Sequence, residues 1–119
     1  MSANLKILNK QNLEPEEYYL DAEKRLEGNP KQTLWMEYTD STKQYFVGVW
    51  RSEVGKWKVR YTEEEYCRIT EGVSIVTDEQ GVAVRLEQGD EFVIPSGFQG
   101  TWEVVETTTK RFVIYEMNE

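Results

Sequence analysis

Residues Gly89–Glu103, GDEFVIPSGFQGTWE, read as a turn, a buried strand, a tight Pro-x-Gly corner at Pro95–Gly97 and a second strand. The same rhythm extends in both directions. From Gln44 onward the hydrophobic period is two, in eight short β-rich runs: QYFVGVW, KWKVRY, YCRIT, VSIVT, VAVRL, EFVIP, TWEVVE and RFVIYEM. The separators between them include Glu53–Gly55, Thr62–Glu65, Glu71-Gly72, Asp78–Gly81, Ser96–Gln99 and Thr107–Lys110. Short runs at such even spacing, with no helical pattern between them, predict an antiparallel sandwich or barrel. TDEQG at 77–81 predicts a hairpin turn with Gly81 at positive φ.

Residues 1–43 differ. The segment LEPEEYYLDAEKRLEGNP has an early Pro15, acidic residues in what would be the first turn, Lys24 and Arg25 late, and Gly28-Asn29-Pro30 as a stop. These signals predict a short helix over 14–27, part of an N-terminal arm that also supplies a strand to a barrel spanning 44–119.

Composition sets limits. With 119 residues, 39% hydrophobic and 13% aromatic, the chain suits one domain with a real core. The longest apolar runs, such as Phe46–Trp50 and Phe112–Tyr115, are far short of a membrane span, and no membrane partner is expected. The N-terminal residues lack the apolar segment of a signal peptide, and the lone Cys67 has no internal disulfide partner, so a cytoplasmic location is expected. A net charge of −8, from 14 basic and 22 acidic residues, repels phosphate backbones and argues against nucleic acid as a partner. Histidine is absent, which removes the commonest catalytic base and any Ser-His or Cys-His pair.

Strand alternation assigns faces. Lys56, Lys58 and Arg60 point to water, so Trp57, Val59 and Tyr61 point inward. In the next run Cys67 and Ile69 belong inside, which carries Glu65 in with them. A carboxylate on an apolar face needs a partner, a metal or a ligand, unless it lies hydrated at the strand's mouth.

These residues resemble a known family. Gly89, five residues, Pro95-Ser96-Gly97, two residues and Gly100 follow the second cupin motif, with Gly100 where that motif has a histidine. Glu65, YCRITE and Gly72 follow the second half of the first motif, with Val59 and Tyr61 at its two histidine positions. FVGVW, KWKVRYTEEEYCRITEG, GDEFVIPSGFQGTWEV and KRFVIYE together are similar to the small single-domain cupins grouped with the ureidoglycine aminohydrolase cupin domain. The resemblance implies an all-β cupin double-stranded β-helix, a jelly-roll barrel. The enzyme that names the group has two cupin domains and binds manganese. Of the four ligand positions the resemblance implies, this chain keeps Glu65 alone, so that activity does not carry over.

The convergence of those positions implies a pocket at one end of the barrel lined by Trp57, Tyr61, Glu65 and Trp102, with Val59 and Gly100 in its wall and Phe98 at its entrance. Trp50 shares the rim. Such a pocket suits a small polar or amine-bearing metabolite, through cation–π contact and a charge-assisted hydrogen bond to Glu65. No cofactor and no tightly bound transition metal are expected, although a weak oxygen-ligated ion at Glu65 is compatible with the residues. Two alternatives stand beside the binding module: a metal-independent enzyme with Glu65 as acid/base and Tyr61 as hydrogen-bond donor, and an accessory protein whose barrel is simply packed. The apolar content of TLWMEYTDSTKQYFVGVW further predicts a homodimer, in which these strands protect a sheet edge.

Overall fold

The structure, a computed structural model, describes residues 5–117. Its strands are β1 Glu16–Tyr18, β2 Arg25–Glu27, β3 Gln32–Thr39, β4 Tyr45–Ser52, β5 Gly55–Arg60, β6 Glu64–Asp78, β7 Ala83–Glu87, β8 Glu91–Ile94 and β9 Gln99–Tyr115. Every pairing is antiparallel, and all nine strands belong to one curled sheet.

Two long strands organise the barrel. β6 and β9 pair along nearly their full length, from Glu64 opposite Tyr115 to Asp78 opposite Gly100. The first part of β9 pairs with β5 on its other edge, and the second part with β4. β6 likewise pairs with β8 near its start and with β7 near its end. Each long strand therefore serves two groups of neighbours, and the sheet turns between them.

The turn is made by a bulged stretch, not by the breaks expected at Glu71-Gly72 and Thr107–Lys110. Both segments lie within strands, where the β6–β9 register shifts between Ile69 and Ser74. Gly72 makes this possible. It has φ +89°, and a β-carbon there would lie 2.0 Å from the Thr107 carbonyl oxygen. The hairpin at Asp78–Gly81 forms as expected, with Gly81 at φ +82° and its N–H donating to the Asp78 carbonyl.

The helix expected over 14–27 is not present. The segment holds β1, a 3-10 turn at Ala22–Lys24, and β2. A helix of this length is marginal in water without an apolar face to bury. The sheet offers more: Glu16–Tyr18 pairs with Gln32–Leu34, and β2 pairs with β5, so backbone groups at two open edges are satisfied. β3 completes the arrangement by pairing with β4 of the same chain. No helix among the described residues is long and apolar enough to cross a membrane.

Alternation then fills the interior. Trp50, Trp57, Cys67, Ile94, Trp102, Val104 and Phe112 form one buried cluster. Burying a side chain of the size of Phe112 contributes roughly 1.5–3 kcal/mol. The outward residues of β5, Lys58 and Arg60, are exposed as their charge requires.

Candidate functional site

A cavity of about 270 Å³ opens beside this core. Its walls come from both ends of the chain: Tyr18 and Leu20 from the N-terminal segment, Trp50 from β4, Trp57 from β5, Glu65 from β6, and Trp102 and Lys110 from β9.

Its polar centre is an ion pair. Lys110 Nζ lies 2.7 Å from Glu65 Oε2, and each side chain is only 6% exposed. The Cys67 thiol donates to the same carboxylate oxygen at 3.1 Å. The register explains the meeting. Glu65 stands opposite Ile114 and Lys110 opposite Ile69, so the two project from neighbouring strands onto one inner face. The long lysine stem spans the offset along the barrel wall. The ammonium also lies over two indole faces, 4.5 Å from the Trp102 ring centre and 4.9 Å from that of Trp50. Stripping water from two charges costs several kcal/mol per ion, and such a pair persists only with this kind of additional contact.

Protonation states follow from the surroundings. Burial is the largest single influence on the Lys110 ammonium and works against it, but Glu65, Tyr61 and Cys67 together outweigh it, so the Lys110 pKa is raised. Burial pushes the Cys67 thiol up to about 12; Glu65 adds to the rise and Lys110 opposes it. Burial likewise raises the Tyr61 phenol, against the pull of Lys110. At neutral pH Cys67 is a thiol with no nucleophilic character, and Tyr61 is a hydrogen-bond donor.

The indoles are fixed from behind. Trp50 Nε1 donates to Gln32 Oε1 at 2.7 Å, and Gln32 Nε2 donates to Ser52 Oγ and to the Pro30 carbonyl. Trp102 Nε1 donates to Ser74 Oγ at 3.0 Å. Thr108 donates to the Glu106 carbonyl, which leaves Ser74 as donor to Thr108 across 2.8 Å. Trp50 meets Trp57 and Trp102 edge-to-face, at 6.1 and 5.4 Å between ring centres. With their N–H groups tied outward, the ring faces stay turned to the ammonium.

Of the residues expected at the site, Trp57, Tyr61, Glu65 and Trp102 line this one cavity. Val59 and Gly100 do not. They line an adjoining cleft of about 490 Å³ that shares Leu20, Trp57 and Tyr61 with the cavity. Gly100 gives room to a strand, not to a ligand: a β-carbon there would lie 1.9 Å from the Thr77 carbonyl oxygen. Phe98 packs edge-on against Tyr61 at 6.3 Å and lines an apolar groove elsewhere, so it steadies the Tyr61 ring from outside the cavity. Trp50, expected at the rim, is buried in the centre.

Sequence reasoning missed Lys110 and Gln32. The polar run Thr107–Lys110 predicts a turn at Lys110, and Gln32 falls in the N-terminal arm. A signal did exist for Lys110. Trp102, Val104, Thr108, Lys110, Phe112 and Ile114 keep one even-numbered face along β9. Counting back by two from Phe112 places Lys110 inside.

A family model described as the EutQ-like cupin domain matches residues 39–112. Among solved structures, a Pseudomonas syringae pv. tomato protein of unknown function in the DUF861 family superimposes with a TM-score of 0.78 at 18% identity, over 89% of this chain and 45% of that one. The Clostridium difficile EutQ protein superimposes with a TM-score of 0.66 at 14% identity, over 75% of this chain and 65% of that one. A Thermotoga maritima DUF861 family protein is 34% identical over 54% of this chain and 73% of its own, with a TM-score of 0.53. The chain thus spans less than two thirds of the first two structures. No curated protein matches the sequence. The jelly-roll barrel, the surviving Glu65 and the matched segment lead to one conclusion: the chain belongs to the EutQ-like cupin domain family.

Proposed function

We propose that this cupin binds a small polar molecule in the cavity above the Glu65–Lys110 pair. One observation carries the reading: a nearly fully buried ion pair lies at the wall of a 270 Å³ cavity instead of within a filled core. A barrel that only needed to pack would gain as much from apolar residues in these positions, because a buried pair is at best weakly stabilising. The cavity volume also speaks against the packed accessory barrel.

The ligand class follows from the charges. The contacts expected for an amine ligand, aromatic faces and one carboxylate, are made in this chain by Lys110. An external amine would have to displace it. The pair is net neutral, so a fully charged ligand gains little from it. A compact neutral molecule that offers an acceptor oxygen to Lys110 and a donor to Glu65 fits better, as amides and hydroxy compounds do.

The enzyme reading rests on the same residues, with Glu65 as acid/base. It is weaker, because one Glu65 oxygen already receives Lys110 and Cys67. A thermal-shift screen of amides, hydroxy compounds, amines and organic acids tests the proposal. Stabilisation by neutral amides or hydroxy compounds, lost in Tyr61→Phe or Trp57→Ala, supports it. Stabilisation by organic acids alone contradicts it.

A further inference from the structure

We infer that the ammonium of Lys110 is the resident cation of this cupin site, standing where the resemblance implies a metal ion. While it is there, the site admits neither a divalent metal nor an external ammonium. The inference is separate from the ligand-binding proposal and does not need a ligand to be found.

The donor set makes the first part of the case. Of the four positions that the resemblance assigns to metal ligands, Val59 and Gly100 offer no donor side chain and do not line the cavity. Tyr61 lines it with a phenol where the motif has an imidazole, a poorer donor for a divalent metal. Glu65 alone is a carboxylate, and its Oε2 is engaged by Lys110 Nζ at 2.7 Å and by Cys67 Sγ at 3.1 Å. Cys67 Sγ is turned to Glu65 Oε2 as a hydrogen-bond donor, so the thiol adds no second donor atom free for a metal. Among the described residues no group of three or more Cys, Asp or Glu side chains converges on one point. One occupied carboxylate does not hold a divalent ion.

The cation's surroundings make the second part. Glu65 supplies charge and a short hydrogen bond, while Trp50 and Trp102 present ring faces within 5 Å of the nitrogen. This is the chemistry that recognises an alkylammonium ion. Here the ammonium is covalently tethered, so it reaches the site without the entropy cost that a free ligand meets. A divalent metal would have left the site positively charged, whereas the lysine leaves it neutral.

The test is chemical rescue. Lys110→Ala removes three methylenes and the ammonium, a fragment equivalent to n-propylammonium. The variant is expected to lose about 10 °C or more in Tm. Millimolar n-propylammonium should restore at least half of that loss, at matched ionic strength. Equal concentrations of 1-propanol should restore far less, since it fills space without charge. Glu65→Gln/Lys110→Ala should respond to neither. The wild type should show no Tm rise with propylammonium and should hold no zinc or manganese after dialysis. Equal rescue by propanol would overturn the inference, because cavity filling would then explain it. Absence of rescue would overturn it too, since the site would be sealed core. Should Lys110→Ala fail to fold alone, refolding with and without propylammonium reads the same outcomes. Near-stoichiometric metal retained by the wild type would overturn it outright.

Discussion

Lys110 on β9 reaches across to Glu65 on β6, and the two bury their charges together at 2.7 Å, with both side chains 6% exposed. Their dependence should be mutual. Glu65→Leu and Lys110→Met, made singly, each strand one buried charge and should cost about 3–5 kcal/mol. The double variant should cost less than either single one, because it leaves no uncompensated charge. Urea unfolding of the four proteins measures the cycle. Additive losses would mean that the pair is not coupled.

Two glycines should behave differently from a third. Gly72→Ala and Gly100→Ala place a β-carbon 2.0 and 1.9 Å from backbone oxygens of Thr107 and Thr77, so strands must move apart. Each should lower stability by several kcal/mol, on the scale of the largest single-residue effects. Gly81→Ala, at φ +82° with open space around it, should cost only the left-handed penalty of about 1–2 kcal/mol. Thermal unfolding of the three variants separates these cases. If Gly100→Ala were neutral in stability but blocked ligand binding, Gly100 would belong to the ligand site after all.

The pH profile of stability follows from the buried thiol and phenol. The folded pKa of Cys67 is raised from 9.0 to about 12, and that of Tyr61 is raised as well. A raised acid contributes stability that is fully present below its unfolded pKa and is lost as pH rises through the folded value. Stability should therefore be level in this respect at neutral pH and fall between about 9 and 12. Cys67→Val should flatten part of that alkaline loss, and iodoacetamide should label the folded wild type slowly at pH 8. Rapid labelling would show an exposed or activated thiol.

The proposed homodimer has a specific surface to test. Val113, Tyr66 and Val93 stand in register across β9, β6 and β8, and Tyr66 and Val93 are exposed, forming an apolar row on the outer face. Val93 is 59% exposed, so Val93→Glu should leave the fold intact. Sedimentation at micromolar concentration should give a dimer for the wild type and a monomer for Val93→Glu. A monomeric wild type would contradict the proposal.

What the sequence disclosed depended on whether side-chain polarity matched position. Trp57, Tyr61, Glu65 and Trp102 were legible, because strict alternation with neighbouring charges fixed their face. Lys110 and Thr108 were not. ETTTKR is polar enough to read as a loop, and polar residues are usually exposed. They sit inside because partners on other strands satisfy them, Glu65 for Lys110 and Ser74 for Thr108, which no local pattern reveals. The N-terminal segment failed for a related reason. Its cap-like residues favoured a helix locally, but open sheet edges on β3 and β5 competed successfully for its backbone. Gly100 was recognised as the missing ligand position, while the strand that presses against it became visible only in three dimensions.

A high-resolution crystal structure of protein purified without chelator tests the central claim most directly. Lys110 Nζ is expected on the Glu65 carboxylate and over the Trp50 and Trp102 rings, with a small organic molecule or ordered water in the cavity touching that pair. A metal ion bound to Glu65 at about 2.1 Å with Lys110 turned away would contradict it.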